Sequence, residues 1–224
     1  MKTELIVIAG FQGAGKTTFA RQLLEQAPQA QKIVVWENES GKCTYPSYAS
    51  ATPSILVKSM YAGCVCCAGT LVPGMIQTVY EEAPDSILLE ASGFAQLSDL
   101  LVQLQTPALQ KLCHIKSICL VLDASTFEKR RLLSETFLEN QIRHSDFVFL
   151  SKTEALSPEQ LSALQTYIYT INPHCKTEPA GRQTLSKQKL QELIWDTEKV
   201  RIPKIIPVHA PKKVLPAMSW QAEI

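Results

Sequence analysis

The sequence GFQGAGKTT, residues 10–18, decides the fold of this chain. It follows the apolar run 5–9 and opens a helix-compatible segment, 16–27. The spacing matches GxxxxGK[ST], the phosphate-binding loop that joins a strand to a helix. In that loop the glycines let backbone N–H groups turn toward phosphate oxygens, and the helix N-terminus adds partial positive charge. We expect Lys16 to reach the β- and γ-phosphates and the Thr17 hydroxyl to bind Mg²⁺.

The composition fits one globular α/β domain. The chain has 224 residues, is 46% hydrophobic and carries a formal net charge of +1. That balance gives no reason to expect nucleic acid or an anionic membrane as a partner. No apolar run reaches the ~20 residues of a membrane span, and the first strand follows residues 1–4 without a signal peptide, so we expect a cytoplasmic protein.

Short apolar runs alternate with helix-like segments along the chain. We predict strands at 5–9, 33–36, 55–57, 87–89, 118–122 and 147–150, and helices at 16–27, 71–82, 135–144, 158–170 and 186–195. The alternation predicts an α/β, three-layer P-loop NTPase fold, in which a mostly parallel sheet has helices on both faces. We assign 1–200 to this domain. We expect the Pro-rich segment 201–224 to be an extended tail or the remnant of a second domain.

Two further strand ends carry candidate nucleotide residues. The strand ILLE ends at Glu90, and Gly93 follows in EASG. P-loop nucleotidases use an acid at this position to hold Mg²⁺ and a glycine N–H to sense the γ-phosphate, so we assign these roles to Glu90 and Gly93. Glu37 closes the second strand, where it either faces the attacking water or the metal, or is a solvated strand end.

A candidate base-reading segment follows the late strand 147–150. GTPases read guanine there with Asn-Lys-x-Asp, whose acid accepts hydrogen bonds from the base. In this chain the segment contains Ser151, Lys152 and Glu154. Glu keeps the carboxylate but adds a methylene, and losing one contact to the base removes about 1–3 kcal/mol of discrimination. We predict GTP rather than ATP as the nucleotide.

A cysteine cluster, GCVCC, occupies residues 63–67 and contains Cys64, Cys66 and Cys67. Thiolates bind soft or borderline ions such as Zn²⁺. No second Cys-x-x-Cys pair is present to close a structural site, so we predict an open, exchangeable metal site. Buried small side chains and a redox pair are the alternatives. Glu37 and His114 are candidate additional ligands.

The ordered motifs resemble those of the CobW-type family of GTP-dependent metallochaperones, which are relatives of the GTPases that mature hydrogenase and urease. In that family the phosphate loop is followed by Cys-x-Cys-Cys and then by Glu-x-x-Gly. The segments Asp123-Ala124 and Asn172-Pro173 also look like family motifs. The resemblance implies that GTP phosphates and Mg²⁺ are bound by Gly13, Ala14, Gly15, Lys16, Thr17 and Thr18.

The resemblance further implies metal binding by the cysteine cluster, slow GTP hydrolysis involving Lys16, Glu37 and Glu90, a client metalloprotein and a homodimer. Zn²⁺, Co²⁺ and Ni²⁺ are the candidate metals. The chain departs from the family at the base-reading segment and at ENESG after the second strand, and we expect the family's second domain to be absent or reduced to the tail after Val200. We hypothesise that nucleotide state, through Gly93, changes the geometry of the cysteine site. The competing hypotheses are an NTPase with structural or redox cysteines and a nucleotide-binding metal sensor.

Overall fold

The computed structural model describes residues 2–28, 30–37, 54–59, 69–180 and 185–196. The segment 201–224, for which the sequence predicts a tail or a second domain, lies outside these ranges. The described residues form a parallel sheet with helices on both of its faces. The predicted α/β fold class is therefore confirmed.

The sheet has seven strands in the order β3-β2-β4-β1-β5-β6-β7, and every pairing between neighbours is parallel. All the predicted strands are present, with ends that differ by a few residues. The bounds are β1 Thr3–Ala9, β2 Ile33–Glu37, β3 Ile55–Ser59, β4 Ser86–Glu90, β5 Cys113–Asp123, β6 Phe147–Ser151 and β7 Lys176–Ala180.

Helices cover both faces of this sheet. Their bounds are α1 Lys16–Glu25, α2 Leu71–Glu82, α3 Leu97–Leu104, α4 Pro107–Leu112, α5 Phe127–Arg143, α6 Pro158–Ile171 and α7 Lys187–Leu190, with a π-helical turn at Gln191–Trp195 after α7. The predicted helices are confirmed, whereas α3, α4 and β7 are additions that the apolar runs did not reveal.

The alternation of side chains along β1 divides the core in two. Leu5 and Val7 point into the cluster beneath α2 to α6, while Ile6 and Ile8 point into the cluster beneath α1 and α7. All four are at most 1% exposed. Strands buried on both faces read as continuous apolar runs, because both sets of alternating side chains are covered. This burial fixes β1, and with it the loop that follows, at the centre of the domain.

The predicted start of α6 is confirmed in detail. The Ser157 hydroxyl accepts a hydrogen bond from the Gln160 amide at 3.3 Å, and the Gln160 side-chain oxygen accepts one from the Ser157 amide at 2.9 Å. This reciprocal capping box satisfies amides that lack partners within the helix. Pro158 takes the first helical position, where its missing N–H removes no helical bond.

Helix α5 begins eight residues earlier than the predicted 135–144 and contains a break at Ser134, whose φ is −153° and ψ is 45°. The predicted segment is the part that follows this break. Leu132 and Leu133 just before it are exposed, at 78% and 70%. Their outward position explains why the apolar spacing did not extend the predicted helix toward Phe127. None of the helices in the described ranges is both long and apolar enough to cross a bilayer.

Candidate functional site

The loop 10–15 leaves the carboxyl end of β1, at the centre of the sheet, and leads into α1 at Lys16. The carboxyl ends of the neighbouring strands β4 and β5 lie at the same edge, because all the strands are parallel. In open α/β sheets this edge is where ligands bind. The predicted strand–loop–helix arrangement of the phosphate loop is therefore present.

The glycines of the loop are needed for two different reasons. Gly13 and Gly15 have φ values of 77° and 101°, a backbone region that residues with a side chain rarely adopt. Gly10 has a φ of 140°, and a Cβ placed on it would lie 2.2 Å from the Val121 carbonyl oxygen of β5. A side chain at Gly10 would thus separate the loop from the sheet.

Lys16 and Thr17 are held by contacts inside the site. The Lys16 side chain is buried, and its ammonium donates a hydrogen bond to the Phe11 carbonyl at 3.3 Å. The Thr17 hydroxyl donates to Glu90 Oε1 at 2.7 Å, and the exposed fraction of Glu90 is 0%. A threonine hydroxyl beside a buried carboxylate is a set of hard oxygen donors, which is the chemistry that Mg²⁺ prefers.

Glu37 lies beside Glu90 in the sheet. The two residues are directly paired at the carboxyl ends of β2 and β4, and Glu37 is only 3% exposed. Paired positions on neighbouring strands have backbones about 4.8 Å apart. Glu37 is therefore a buried strand end next to the Thr17–Glu90 pair, and the structure does not support the alternative of a solvated strand end.

Gly93 brings the loop after β4 against the phosphate loop. A Cβ on Gly93 would lie 2.5 Å from the Gln12 amide nitrogen and 2.9 Å from Gln12 Cα. The next residue, Phe94, is 75% exposed. The sequence assigned Gly93 to sensing the γ-phosphate, and the structure places its backbone in contact with the loop that would hold that phosphate.

The segment after β6 contacts the phosphate loop through side chains. The Ser151 hydroxyl donates to the Ala14 carbonyl at 2.8 Å. The Lys152 ammonium donates to Asp123 Oδ2 at 2.5 Å and to the Gly13 carbonyl at 3.4 Å. Two of the predicted base-reading residues therefore hold the loop in this structure. The predicted contact of all three with the base stays a prediction, and Glu154 is exposed on the turn Thr153–Ala155.

Asp123, at the carboxyl end of β5, is a site residue that the sequence indicated only through its likeness to a family motif. Burial by itself would raise the pKa of this carboxyl, but hydrogen bonds from Lys152 and from Ser125 outweigh burial and lower the pKa. Asp123 is therefore an anion that anchors Lys152 beside the phosphate loop. An acid at the end of a strand next to β1 was the available sequence signal.

The predicted transition-metal ligands Cys64, Cys66 and Cys67 lie outside the described residues. Within the described ranges no group of three or more His, Cys, Asp and Glu side chains is arranged to hold a metal ion. His114 lies at the amino end of β5, paired with Glu4, whereas Glu37 lies at the carboxyl edge. The structure thus does not bring His114 and Glu37 together, and the role of each as a metal ligand stays a prediction.

The three described cysteines are buried in the core. Burial raises the pKa of the Cys113 and Cys175 thiols to about 11 and that of Cys119 to about 12. Thiols with such pKa values carry almost no thiolate near pH 7, and thiolate is the form that binds metal. Cys113, Cys119 and Cys175 are therefore structural side chains.

A cleft of about 830 Å³ lies at the amino edge of the sheet, where its lining includes Lys2, Glu4, Asp85 and His114. This edge is opposite to the phosphate loop. The volume alone does not make the cleft the principal site, because the glycine loop, Lys16 and the Thr17–Glu90 pair are all at the carboxyl edge. We therefore regard the carboxyl edge as the functional site.

Comparison with known proteins agrees with this geometry. A family model for the CobW/HypB/UreG nucleotide-binding domain matches residues 4–178. The zinc chaperone YeiR of Escherichia coli is 26% identical over 167 residues, which are 74% of this chain and 51% of that protein. The zinc chaperone CobW of Pseudomonas aeruginosa is 29% identical over 201 residues, 75% of this chain and 53% of that protein. The chain thus spans about half the length of the curated relatives it matches.

Solved structures share the fold. The zinc-bound YjiA GTPase of E. coli superimposes with a TM-score of 0.63 at 16% identity, covering 90% of this chain and 67% of that one. The hydrogenase maturation factor HypB of Archaeoglobus fulgidus gives a TM-score of 0.58 at 16% identity, covering 85% of this chain and 88% of that one. A triple variant of YjiA, with one glutamate and two cysteines replaced by alanine, has also been crystallised with zinc bound.

Proposed function

This chain belongs to the CobW/HypB/UreG nucleotide-binding family, and from that premise we propose that it is a GTP-hydrolysing metallochaperone domain. It binds GTP, hydrolyses it slowly, and uses the change of nucleotide state to capture and release a transition metal ion. The observation that carries the proposal is the hydrogen bond between Thr17 and the buried Glu90, directly behind a complete phosphate loop.

In the proposed nucleotide site, each role in binding and hydrolysis falls to residues that already contact one another. The loop amides of 13–18 bind phosphate oxygens, and Lys16 moves from the Phe11 carbonyl to the β- and γ-phosphates. Thr17 and Glu90 hold Mg²⁺, which when bound neutralises charge on the phosphates. Glu37, beside Glu90, orients the attacking water or contributes to holding a metal ion. Gly93, packed on Gln12, transmits the presence of the γ-phosphate to the loop after β4.

The base is guanine in this proposal. Glu154 would accept hydrogen bonds from the base, and Lys152 would pack its aliphatic stem on the ring while Ser151 keeps its bond to the loop. Fluorescent GDP and ADP, titrated separately, test this choice. We expect tighter binding of the GDP probe, and equal affinities would contradict guanine specificity.

The metal is a thiophilic ion held by Cys64, Cys66 and Cys67. Both curated relatives described above are named zinc chaperones. A structural neighbour from Helicobacter pylori is HypB in complex with nickel. These names support Zn²⁺ first, with Ni²⁺ or Co²⁺ as alternatives. We further propose that the ion passes to a client metalloprotein, that the protein works in the cytoplasm, where thiols stay reduced, and that it forms a homodimer.

A competition titration with a chromophoric zinc chelator tests the metal part of the proposal. The titration is run with GDP and with a non-hydrolysable GTP analogue on wild type, on Cys64→Ser/Cys66→Ser/Cys67→Ser, and on Cys175→Ala as the matched control. We expect zinc affinity in wild type to depend on the nucleotide, the triple variant to lose that affinity, and the control to keep it. Affinity is the correct readout, since a relative with two cysteines replaced still crystallised with zinc.

The outcomes separate the proposal from its competitors. Wild-type zinc affinity in the triple variant would overturn the metallochaperone role and leave an NTPase with structural or redox cysteines. Nucleotide-dependent zinc affinity without measurable GTP turnover would instead indicate a metal sensor. Lys16→Ala, which removes the cation that reaches the phosphates, should abolish GTP binding and retain most of the zinc affinity in the absence of nucleotide.

A further inference from the structure

Arg130 lies against the phosphate loop, although it is more than a hundred residues from that loop in the sequence. Its guanidinium carbon is 4.8 Å from the centre of the Phe11 ring, and Phe11 is the second residue of the loop. The same ring contacts Phe137 of α5, with centroids 5.0 Å apart. Arg130 also lines a crevice together with Gln12 and Ala14. Helix α5 thus presents a guanidinium to the phosphate loop.

The hydrogen-bonding capacity of Arg130 is unused in the part of the chain that the structure describes. No ion pair or hydrogen bond of its guanidinium is found there, and the contact with the Phe11 ring is its one recorded interaction. The neighbouring Arg131 differs, because it pairs with Glu128 at 2.9 Å and with Glu135 at 3.8 Å. Arg143 pairs with Glu139 at 3.8 Å. A guanidinium carries five N–H donors and binds phosphate oxygens in pairs.

We propose that Arg130 is a built-in catalytic arginine, which contacts the terminal phosphate of bound GTP and stabilises the transition state of hydrolysis. The proposal rests on the GTPase activity proposed above and adds a residue to it. A cation held over an aromatic face interacts more weakly than one that forms charge-assisted hydrogen bonds to phosphate. When the γ-phosphate is bound, movement of the guanidinium from the Phe11 ring to the phosphate is therefore energetically favourable.

The reaction that Arg130 assists is the attack of water on GTP. A bond forms between the water oxygen and the γ-phosphorus, and the bond from that phosphorus to the β–γ bridging oxygen breaks. The electron pair of the broken bond stays on the β-phosphate of GDP, and water loses one proton as inorganic phosphate is released. Arg130 transfers no proton and supplies positive charge to the oxygens on which negative charge develops.

Single-turnover hydrolysis of GTP tests this role in Arg130→Ala, Arg130→Lys and Arg130→Met, with Arg131→Ala as the matched control. A GTPase that carries such an arginine in its own chain hydrolyses GTP about 20-fold or more faster than a small GTPase that lacks one. We expect Arg130→Ala and Arg130→Met to lose about that factor in kcat, and Arg130→Lys to recover part of it. Arg131→Ala should hydrolyse GTP like wild type. Equal melting temperatures show that the variants fold.

Binding of fluorescent GDP, with and without aluminium fluoride, gives a second readout. Because GDP lacks the terminal phosphate, GDP affinity should change less than about threefold in the Arg130 variants. Aluminium fluoride mimics the transferred phosphoryl group, and its tightening of GDP binding should be lost in these variants. Wild-type turnover in Arg130→Ala, or full activity in Arg130→Met, which keeps packing on Phe11 without charge, would overturn the role of Arg130. Absence of GTP binding and turnover in wild type would instead overturn the proposed function itself.

Discussion

Gly93 is the residue at which the second nucleotide motif comes closest to the phosphate loop. Its space is bounded by the backbone of Gln12, which cannot rotate away as a long side chain could. Atoms at the 2.5 Å separation that a Cβ would have from the Gln12 nitrogen must move apart. The phosphate loop and the loop after β4 are therefore able to approach one another only because residue 93 has no side chain.

Gly93→Ala is expected to weaken binding of a non-hydrolysable GTP analogue at least tenfold and to change GDP affinity less than about threefold, because in the proposed function the γ-phosphate would lie where the two loops meet. Isothermal titration calorimetry with both nucleotides measures the difference. Ser92→Ala, in the same loop, is the control and should bind both like wild type. Equal weakening of GDP and of the GTP analogue would mean that Gly93 only supports the fold of the loop.

The sequence predicted some residue contacts and missed others for a physical reason. The Thr17–Glu90 pair follows from two motifs whose positions relative to parallel strands are fixed, and the structure joins them at 2.7 Å. The bond from Ser151 to the Ala14 carbonyl and the stacking of Arg130 on Phe11 were not predicted. They depend on how loops and α5 lie on the sheet, which local patterns do not encode.

At the scale of elements, β2 and α2 are joined by Trp36. The indole is buried, and its N–H donates to the Thr78 hydroxyl at 3.3 Å. It also lies over Gly74, where a Cβ would be 2.5 Å from Trp36 Cη2. Glycine inside a helix normally destabilises it by about 1 kcal/mol relative to alanine. Here glycine is required because the ring occupies the space that a methyl group would need.

Gly74→Ala is therefore expected to destabilise the protein, opposite in sign to its effect in an exposed helix. Overpacking of a core costs about 1–3 kcal/mol in the free energy of unfolding. Trp36→Phe shortens the ring and should relieve the clash, so the double variant should lose less than the sum of the single losses. Urea denaturation of the four proteins measures the coupling. If Gly74→Ala were stabilising, or if the loss in the double variant equalled the sum of the single losses, Trp36 and helix α2 would have to move apart easily.

Strand β7 was missed because burial does not shape its sequence, whereas α3 was missed although Leu97, Leu100 and Leu101 are buried. Strand β7 reads KTEPA, with charged residues and Pro179, because among the described residues it pairs only with β6 and forms an edge of the sheet. Proline is tolerated there, since the open side of an edge strand needs no amide donor. The central strands, buried on both faces, were all visible as apolar runs. The fold class was thus predictable, whereas strand β7 was not.

At the scale of the whole molecule, Asp146 is expected to make stability depend on pH. Burial raises the pKa of this carboxyl from 3.8 to about 7, partly opposed by a hydrogen bond from the Ile118 amide, which is 2.8 Å from Asp146 Oδ2. A raised pKa means that the folded state holds the proton more tightly than the unfolded state does. Stability from this group is therefore complete below about pH 4 and is lost as pH rises to about 7.

Asp146→Asn removes this loss, because the amide oxygen still accepts the Ile118 N–H and cannot ionise. Relative to wild type, the variant should gain roughly 4 kcal/mol in the free energy of unfolding between pH 4 and pH 7.5. The nearby Cys119 and Cys175 thiols, with pKa values of about 12 and 11, do not titrate in this window. Urea unfolding at both pH values measures the change, and parallel pH profiles for the two proteins would contradict the assignment.

The cysteines should divide into two classes across the molecule. Cys113, Cys119 and Cys175 are buried thiols with raised pKa values, so they should resist a thiol reagent at pH 7 until the protein unfolds. The remaining four, Cys43, Cys64, Cys66 and Cys67, include the proposed zinc ligands. We expect zinc to slow labelling in native protein at the last three positions, read by mass spectrometry. Rapid native labelling of Cys119 would contradict the burial of β5.

The position of β1 at the centre of the sheet also determines when the domain can fold during synthesis on the ribosome. β1 is made before its partners β4 and β5, and Gly10 packs on the carbonyl of Val121 in β5. At about 5–20 residues per second, synthesis from β1 to Asp123 takes on the order of 10 s. Until β4 has been made, this strand, which is apolar on both faces, has no partner in the nascent chain, and until β5 has been made it has only one of its two partners. Ribosome-bound chains ending before β5 should therefore recruit holding chaperones and fail to bind nucleotide, however complete their glycine loop.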